Sequence, residues 1–134
     1  MTVELAKFLS DCPFFEGQVA PNFLEGAMAS ASVEKKEKDR RVRDYTDGSR
    51  VVTDTFLVNI RETFTALAEE NNRIAEKCRE IENWINQKNK IGELPRLKGA
   101  DAVSLEISRG FSPVWNDTSV ARYEAELKLE YIIN

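Results

Sequence analysis

Histidine is absent from the chain. That removes the commonest general base, the commonest metal ligand and the Ser-His and Cys-His nucleophile pairs. Carboxylate and lysine chemistry is left in principle, so the absence lowers the expectation of an enzyme without eliminating it. Cysteine is nearly absent as well. Cys12 and Cys78 stand far apart and outside CxxC spacing, which points to buried or incidental thiols and to neither a disulfide framework nor a zinc site. The six glycines, at 17, 26, 48, 92, 99 and 110, are dispersed, and none forms GxGxxG or a Walker sequence. No stretch approaches the ~20 apolar residues of a membrane span. The opening Met1 to Lys7 also lacks the basic flank and apolar run of a signal peptide. The expectation is a protein made and kept in a cytosol, with no cofactor, metal or catalytic set.

What is present suits one soluble domain. The chain has 134 residues, 42% apolar and 31% charged, enough of both for a single core under a charged surface. A net charge of -4 argues against a dedicated nucleic-acid binder, which needs a concentrated positive surface.

Thr2 to Ser10 reads as a short amphipathic helix, with Val3, Leu5, Ala6, Phe8 and Leu9 on one side and Thr2 at its start as a cap. Asp11-Cys12-Pro13 ends it, and Phe14-Phe15 suggests an exit pinned by aromatic burial. The stretch around Phe23 and Leu24 reads as an anchored loop. Ala27 to Val33 alternates weakly and reads as a strand. Glu34 to Asp44 holds six basic and four acidic residues, a net of +2, and is expected as a solvated loop or as protruding strand ends.

Asp47-Gly48 between strand-like runs indicates a tight hairpin of primed type, joining a strand over about Asp39 to Tyr45 to a partner over about Arg50 to Arg61. In that partner Val52, Phe56, Val58 and Ile60 share a face, with Asp54 as an intruder near its exposed end. A long helix follows from Thr63 or Ala66 to Lys88. Its stripe is Leu67, Asn71, Ile74, Cys78, Ile81 and Ile85, widened by Trp84, and Gly92 and Pro95 stop it. Val103, Leu105 and Ile107 then alternate with Ser104, Glu106 and Ser108 toward Gly110, a bulge or bend. Trp115 falls in a polar connection. Ala121 to Ile132 closes with a regular alternation of Ala121, Tyr123, Ala125, Leu127, Leu129 and Tyr131 against Arg122, Glu124, Glu126, Lys128 and Glu130. The order fits an α+β domain over residues 1–134, an antiparallel sheet of about four to five strands packed on one face by one long and one short helix.

Chemistry-bearing groupings are weak. Glu124 with Glu126 and Glu76 with Glu80 sit among neighbours that alternate as exposed faces do, which favours solvation over acid-base work. Asp39, Asp44 and Asp47 lack the spacing and terminal bidentate glutamate of a calcium loop. By residue type and expected exposure, Arg40, Arg41, Arg43, Trp115 and Arg122 are the candidate interface residues.

Several clusters together resemble the small phage minor capsid proteins of the tail-terminator or tail-completion type, from tailed phages and prophages of Gram-positive bacteria. Leu5, Phe8 and Leu9 followed by Cys12-Pro13-Phe14-Phe15 are similar to that family's opening helix and its Cys-Pro aromatic exit. Tyr45-Thr46-Asp47-Gly48-Ser49 is similar to its hairpin, Trp84 to Asn89 with Leu94-Pro95 to its helix end and loop, and Ala121-Arg122-Tyr123 to the opening of its last strand. Nearly the whole chain is covered in order, although the segment from Glu34 to Arg41 is more charged than in typical members. The resemblance implies a structural protein of the virion, assembled in the bacterial cytoplasm. It implies a ring, usually hexameric, that caps the tail tube and meets tail-tube and head-completion proteins. A small non-enzymatic protein-binding or inhibitor module is the alternative expectation.

Overall fold

A computed structural model describes residues 1–15, 18–21, 31–63, 68–115 and 120–133. The loop expected around Phe23 and Leu24, the first residues of the strand expected from Ala27, the helix start at Ala66 with Leu67, and most of the connection after Trp115 lie outside these residues; Thr63, the other helix start expected, is instead the last residue of a strand, paired with Val120. Six elements follow in the order α1 (Thr2–Ser10), β1 (Ala31–Asp44), β2 (Arg50–Thr63), α2 (Ala68–Ile91), β3 (Asp101–Trp115) and β4 (Val120–Ile133). The four strands form one antiparallel sheet in the order β1-β2-β4-β3. Two hairpins are thus joined side by side through β2 and β4, and the architecture is the α+β domain expected.

The alternation of β4 fixes which face carries the core. Ala125, Leu127, Leu129 and Tyr131 are buried, and their cross-strand partners Val58, Phe56, Asp54 and Val52 lie on the same face. Leu5 and Leu9 of α1 and Cys78, Ile81 and Ile85 of α2 close over that face in one cluster. Each fully buried Leu, Ile or Phe contributes roughly 1.5–3 kcal/mol relative to exposure, so the strand and helix stripes hold the domain together.

Local details depart from the sequence reading for identifiable reasons. Met1, and not Thr2, is the N-cap of α1, without a side-chain cap bond. Val3 is exposed and Phe14 is exposed beside buried Phe15, because one helix face and one of two adjacent aromatics suffice to reach the core. Ser10 ties the exit of α1, its Oγ donating to the Ala6 carbonyl (2.8 Å) and accepting from the Val19 N–H (3.0 Å). Helix α2 runs past Lys88 to Ile91. Gly92, at φ 78°, then ends it, with Glu93 N bonded to Lys88 O and Gly92 N to Asn89 O, the paired bonds that satisfy the last carbonyls of a helix.

The β1–β2 turn is looser than expected. Among the described residues no non-glycine residue has positive φ, which excludes a two-residue turn needing positive φ at both positions. Instead Tyr45 N bonds Ser49 O, Gly48 N bonds Tyr45 O, and Gly48 alone takes φ 89°. This is the three-residue hairpin with a bulged glycine. Asp47 completes it, accepting from both the N–H and the hydroxyl of Ser49, contacts that hold its carboxyl below the ordinary carboxylate range.

The charged run from Glu34 is neither a loop nor a break between two strands. It continues β1, and the register slips between Lys36, opposite Thr55, and Arg41, opposite Thr53. Four residues, Glu37 to Arg40, stand across from Asp54 alone. The excess reverses the alternation: Val33 and Lys35 point with the core face before the bulge, Val42 after it.

Candidate interaction surface

The bulge builds the most organised polar cluster of the described residues. Asp54 is completely buried, between Val52 and Phe56 on the core face. It accepts a hydrogen bond from the Tyr131 hydroxyl (2.7 Å), and Arg40 donates to that hydroxyl from the other side (2.9 Å). Arg40 Nε lies 3.1 Å from Asp54 Oδ1 and Lys35 Nζ 3.6 Å from Oδ2. The Arg40 contact is an ion pair without hydrogen-bond alignment, since Oδ1 has no donor in line. A buried carboxylate needs charged partners because desolvation costs several kcal/mol per ion. Here two cations supply them from the strand edge. Burial, then the bond to Asp54, pushes the Tyr131 hydroxyl above the ordinary tyrosine range. The Tyr131 bond, then the Asp54 charge, raises Arg40 further.

On the opposite face the cross-strand partners are polar and laced together. Ser108 and Lys36 both bond Glu126, Lys36 also pairs with Asp39 (2.8 Å), and Arg109 pairs with Glu124 (2.9 Å). Ser108 first, then Lys36, holds the Glu126 carboxyl down, and Lys36 does the same for Asp39. The row Glu124, Glu126, Lys128 and Glu130 is half-buried, so it is an ion-paired sheet face and not a freely solvated one.

Beyond the bulge β1 and its turn project as an arm. Every residue from Glu37 to Gly48 is exposed, including Val42 and Tyr45. The five interface candidates fall unevenly on this frame. Arg41 and Arg43 are exposed on the arm, as expected. Arg40 is half-exposed yet committed to Asp54 and Tyr131, a structural duty its position in a charged run conceals. Trp115 is the last residue of β3, paired with Ala121, and not part of a connection; Arg122 is half-buried on β4 opposite Arg61. The sequence reading missed Asp54 and Tyr131 as a pair. The available sign was the single carboxylate in an otherwise apolar strand face.

A cleft of about 960 Å³ opens between α1 and the end of α2. Its floor is Phe8 against Trp84, centroids 5.2 Å apart, with Lys88 over the indole at 5.5 Å. Trp84 is therefore half-buried, packed against the core cluster of Ile81 and Ile85 and lining the cleft margin as well. Three acids (Glu4, Asp11, Glu93) and three cations (Lys7, Lys88, Arg96) balance around it, and Lys88 pairs with Glu93. Cys12 and Cys78 are both buried free thiols, and burial pushes the Cys12 thiol up. Among the described residues no helix is long and apolar enough to cross a membrane.

No family model matches the chain, and no curated protein matches it.

Proposed function

We propose that the chain is a structural phage protein acting in tail completion or head-tail joining, as a ring that caps the tail tube. The observation that supports this reading is the separation of the candidate residues into two unlike patches. Arg41 lies on the arm, in register with Thr53 and through it with Glu130; Arg122 and Trp115 lie at the other end of the strands. Arg122 and Glu130 of β4 stand eight residue steps apart, ~27 Å along the strand. A closed ring repeats one heterologous contact and so needs two different surfaces on each subunit, whereas a two-fold dimer needs one self-complementary patch. Negative-stain micrographs of concentrated protein test the reading: rings are expected, and a field of monomers or simple dimers opposes it. Some proteins of this kind assemble only on a tail, so the same grids include isolated tail tubes, on whose ends the protein is expected to bind.

The outer edge of β1 from Glu34 to Asp44, unpaired among the described residues, favours a second reading, a protein-binding or inhibitor module. That reading expects a monomer that captures one partner tightly and ignores tail tubes.

A further inference from the structure

The two edges of the sheet are treated differently. Along β3, α2 reaches over the edge: Asn89 Oδ1 accepts from Leu105 N (2.9 Å) and Glu82 Oε1 from Phe111 N (2.7 Å). Along β1, Ala20 bonds to Ala31 O and Val33 N. From Glu34 to Asp44 nothing among the described residues pairs with the outer edge. The bond from Tyr45 N to Ser49 O sets the alternation on the arm. Arg43 therefore turns its backbone groups toward β2, and Val42 and Asp44 turn theirs outward.

From these features we infer that the arm edge at Arg41–Asp44 is a docking site for an extended protein segment in which acidic residues alternate with an apolar one. Arg41 and Arg43 lie on the outer face, Val42 on the core-side face at 46% exposure. Among the described residues neither Arg41 nor Arg43 makes an ion pair, nor does Lys38 nearby, while Asp44 is taken by Arg50 (2.7 Å) and Asp39 by Lys36. An added strand continues the alternation of its neighbour. A segment of the pattern Glu-Val-Glu sets its carboxylates beside the two arginines and its apolar side chain beside Val42, and closes the outward N–H and C=O groups.

A second copy of the chain does not supply this strand. Another arm brings arginine against arginine, like charges that oppose direct pairing. The chain's own matching patterns are both held in the fold, Glu80-Ile81-Glu82 within α2 with Ile81 buried, and Glu124-Ala125-Glu126 between β2 and β3 in the sheet centre. The partner is therefore a different protein with an acidic extended segment, which shares Arg41 and Arg43 with the ring contact proposed above and is told apart from it by closing the outward backbone groups of Val42 and Asp44.

The experiment uses the full chain, an acetylated peptide Thr-Glu-Val-Glu-Thr, its lysine counterpart Thr-Lys-Val-Lys-Thr, and single-stranded oligothymidine, followed by amide NMR. The glutamate peptide is expected to shift the Val42 and Asp44 amides and slow their hydrogen exchange, and the lysine peptide to leave them unchanged. Val42→Pro removes an outward N–H while leaving the β1–β2 bonds. It and the double variant Arg41→Glu/Arg43→Glu are each expected to weaken the peptide at least about tenfold, with amides away from the arm unmoved. No shift with the glutamate peptide, shifts that survive Val42→Pro, or stronger perturbation of the same amides by oligothymidine overturns the proposal. Protection of those amides by self-association without peptide overturns it too.

Discussion

Asp54 stands in a strand face whose other members, Val52, Phe56, Val58 and Ile60, are all apolar and buried. Its partners decide what the neighbouring arginines tolerate. Arg40→Glu sets a carboxylate against a buried carboxylate, and is expected to destabilise the fold by about 1–3 kcal/mol, between the ranges for exposed and buried ion pairs because the Arg40 side chain is half-exposed, as read by denaturant unfolding. Arg41→Glu and Arg43→Glu alter exposed side chains that make no ion pair among the described residues, and are expected to stay within about 0.5 kcal/mol of the parent. Equal effects at all three positions contradict the assignment of Arg40 to the cluster.

Tyr131 gives the same cluster a pH dependence. Its folded-state pKa is raised, because burial and Asp54 favour the protonated hydroxyl. Above the ordinary tyrosine value, about 10, the unfolded chain releases a proton that the folded chain retains, so stability is full below that pH and falls as pH rises through the folded value. In Tyr131→Phe this part of the alkaline loss is expected to disappear, and unfolding curves across that range check it. Asp54 was visible in the sequence as an intruder, but its supposed exposed position was wrong. The error has a physical source: Arg40 reaches Asp54 only because the strand bulges, and Tyr131 meets it from 77 positions away, where no local periodicity connects them.

At the scale of elements, the helices and the last strand were legible because each shows one clean period: three and four in α2, two in β4. The merging of two expected strands into β1 was not. A bulge shifts the alternation by an odd number of residues, so a period-two reading sees a break where the chain runs on. Gly110 was read as a bulge or bend, and the register does shift between Arg109 and Ser112. Its closer role was hidden, since a Cβ there would stand 2.5 Å from Glu82 Oε1, the atom that accepts from Phe111 N. Gly110→Ala displaces that carboxylate and is expected to cost about 1 kcal/mol, the worth of one hydrogen bond. Glu82→Ala is expected to cost a similar amount. The double variant should cost little more than either alone, because both remove one contact; full additivity in a thermal or denaturant cycle contradicts the shared cause.

For the molecule as a whole, a covered edge at β3 and an open, arginine-bearing arm at β1 give the domain two unlike ends. Composition lowers the expectation of an enzyme and argues against a nucleic-acid binder, and it locates no contact surface. Of the five candidates chosen by residue type, Arg41 and Arg43 are the pair whose reversal separates assembly from folding. Arg40 is tied into the fold and Arg122 is half-buried. The most direct test is the molar mass by light scattering of concentrated wild-type protein beside the Arg41→Glu/Arg43→Glu variant, with unfolding curves for both. Ring assembly through the arm predicts a mass well above a dimer for the wild type and a folded monomer for the variant. A wild type that stays monomeric at every concentration and leaves tail-tube ends bare, or an oligomer indifferent to the double reversal, contradicts it.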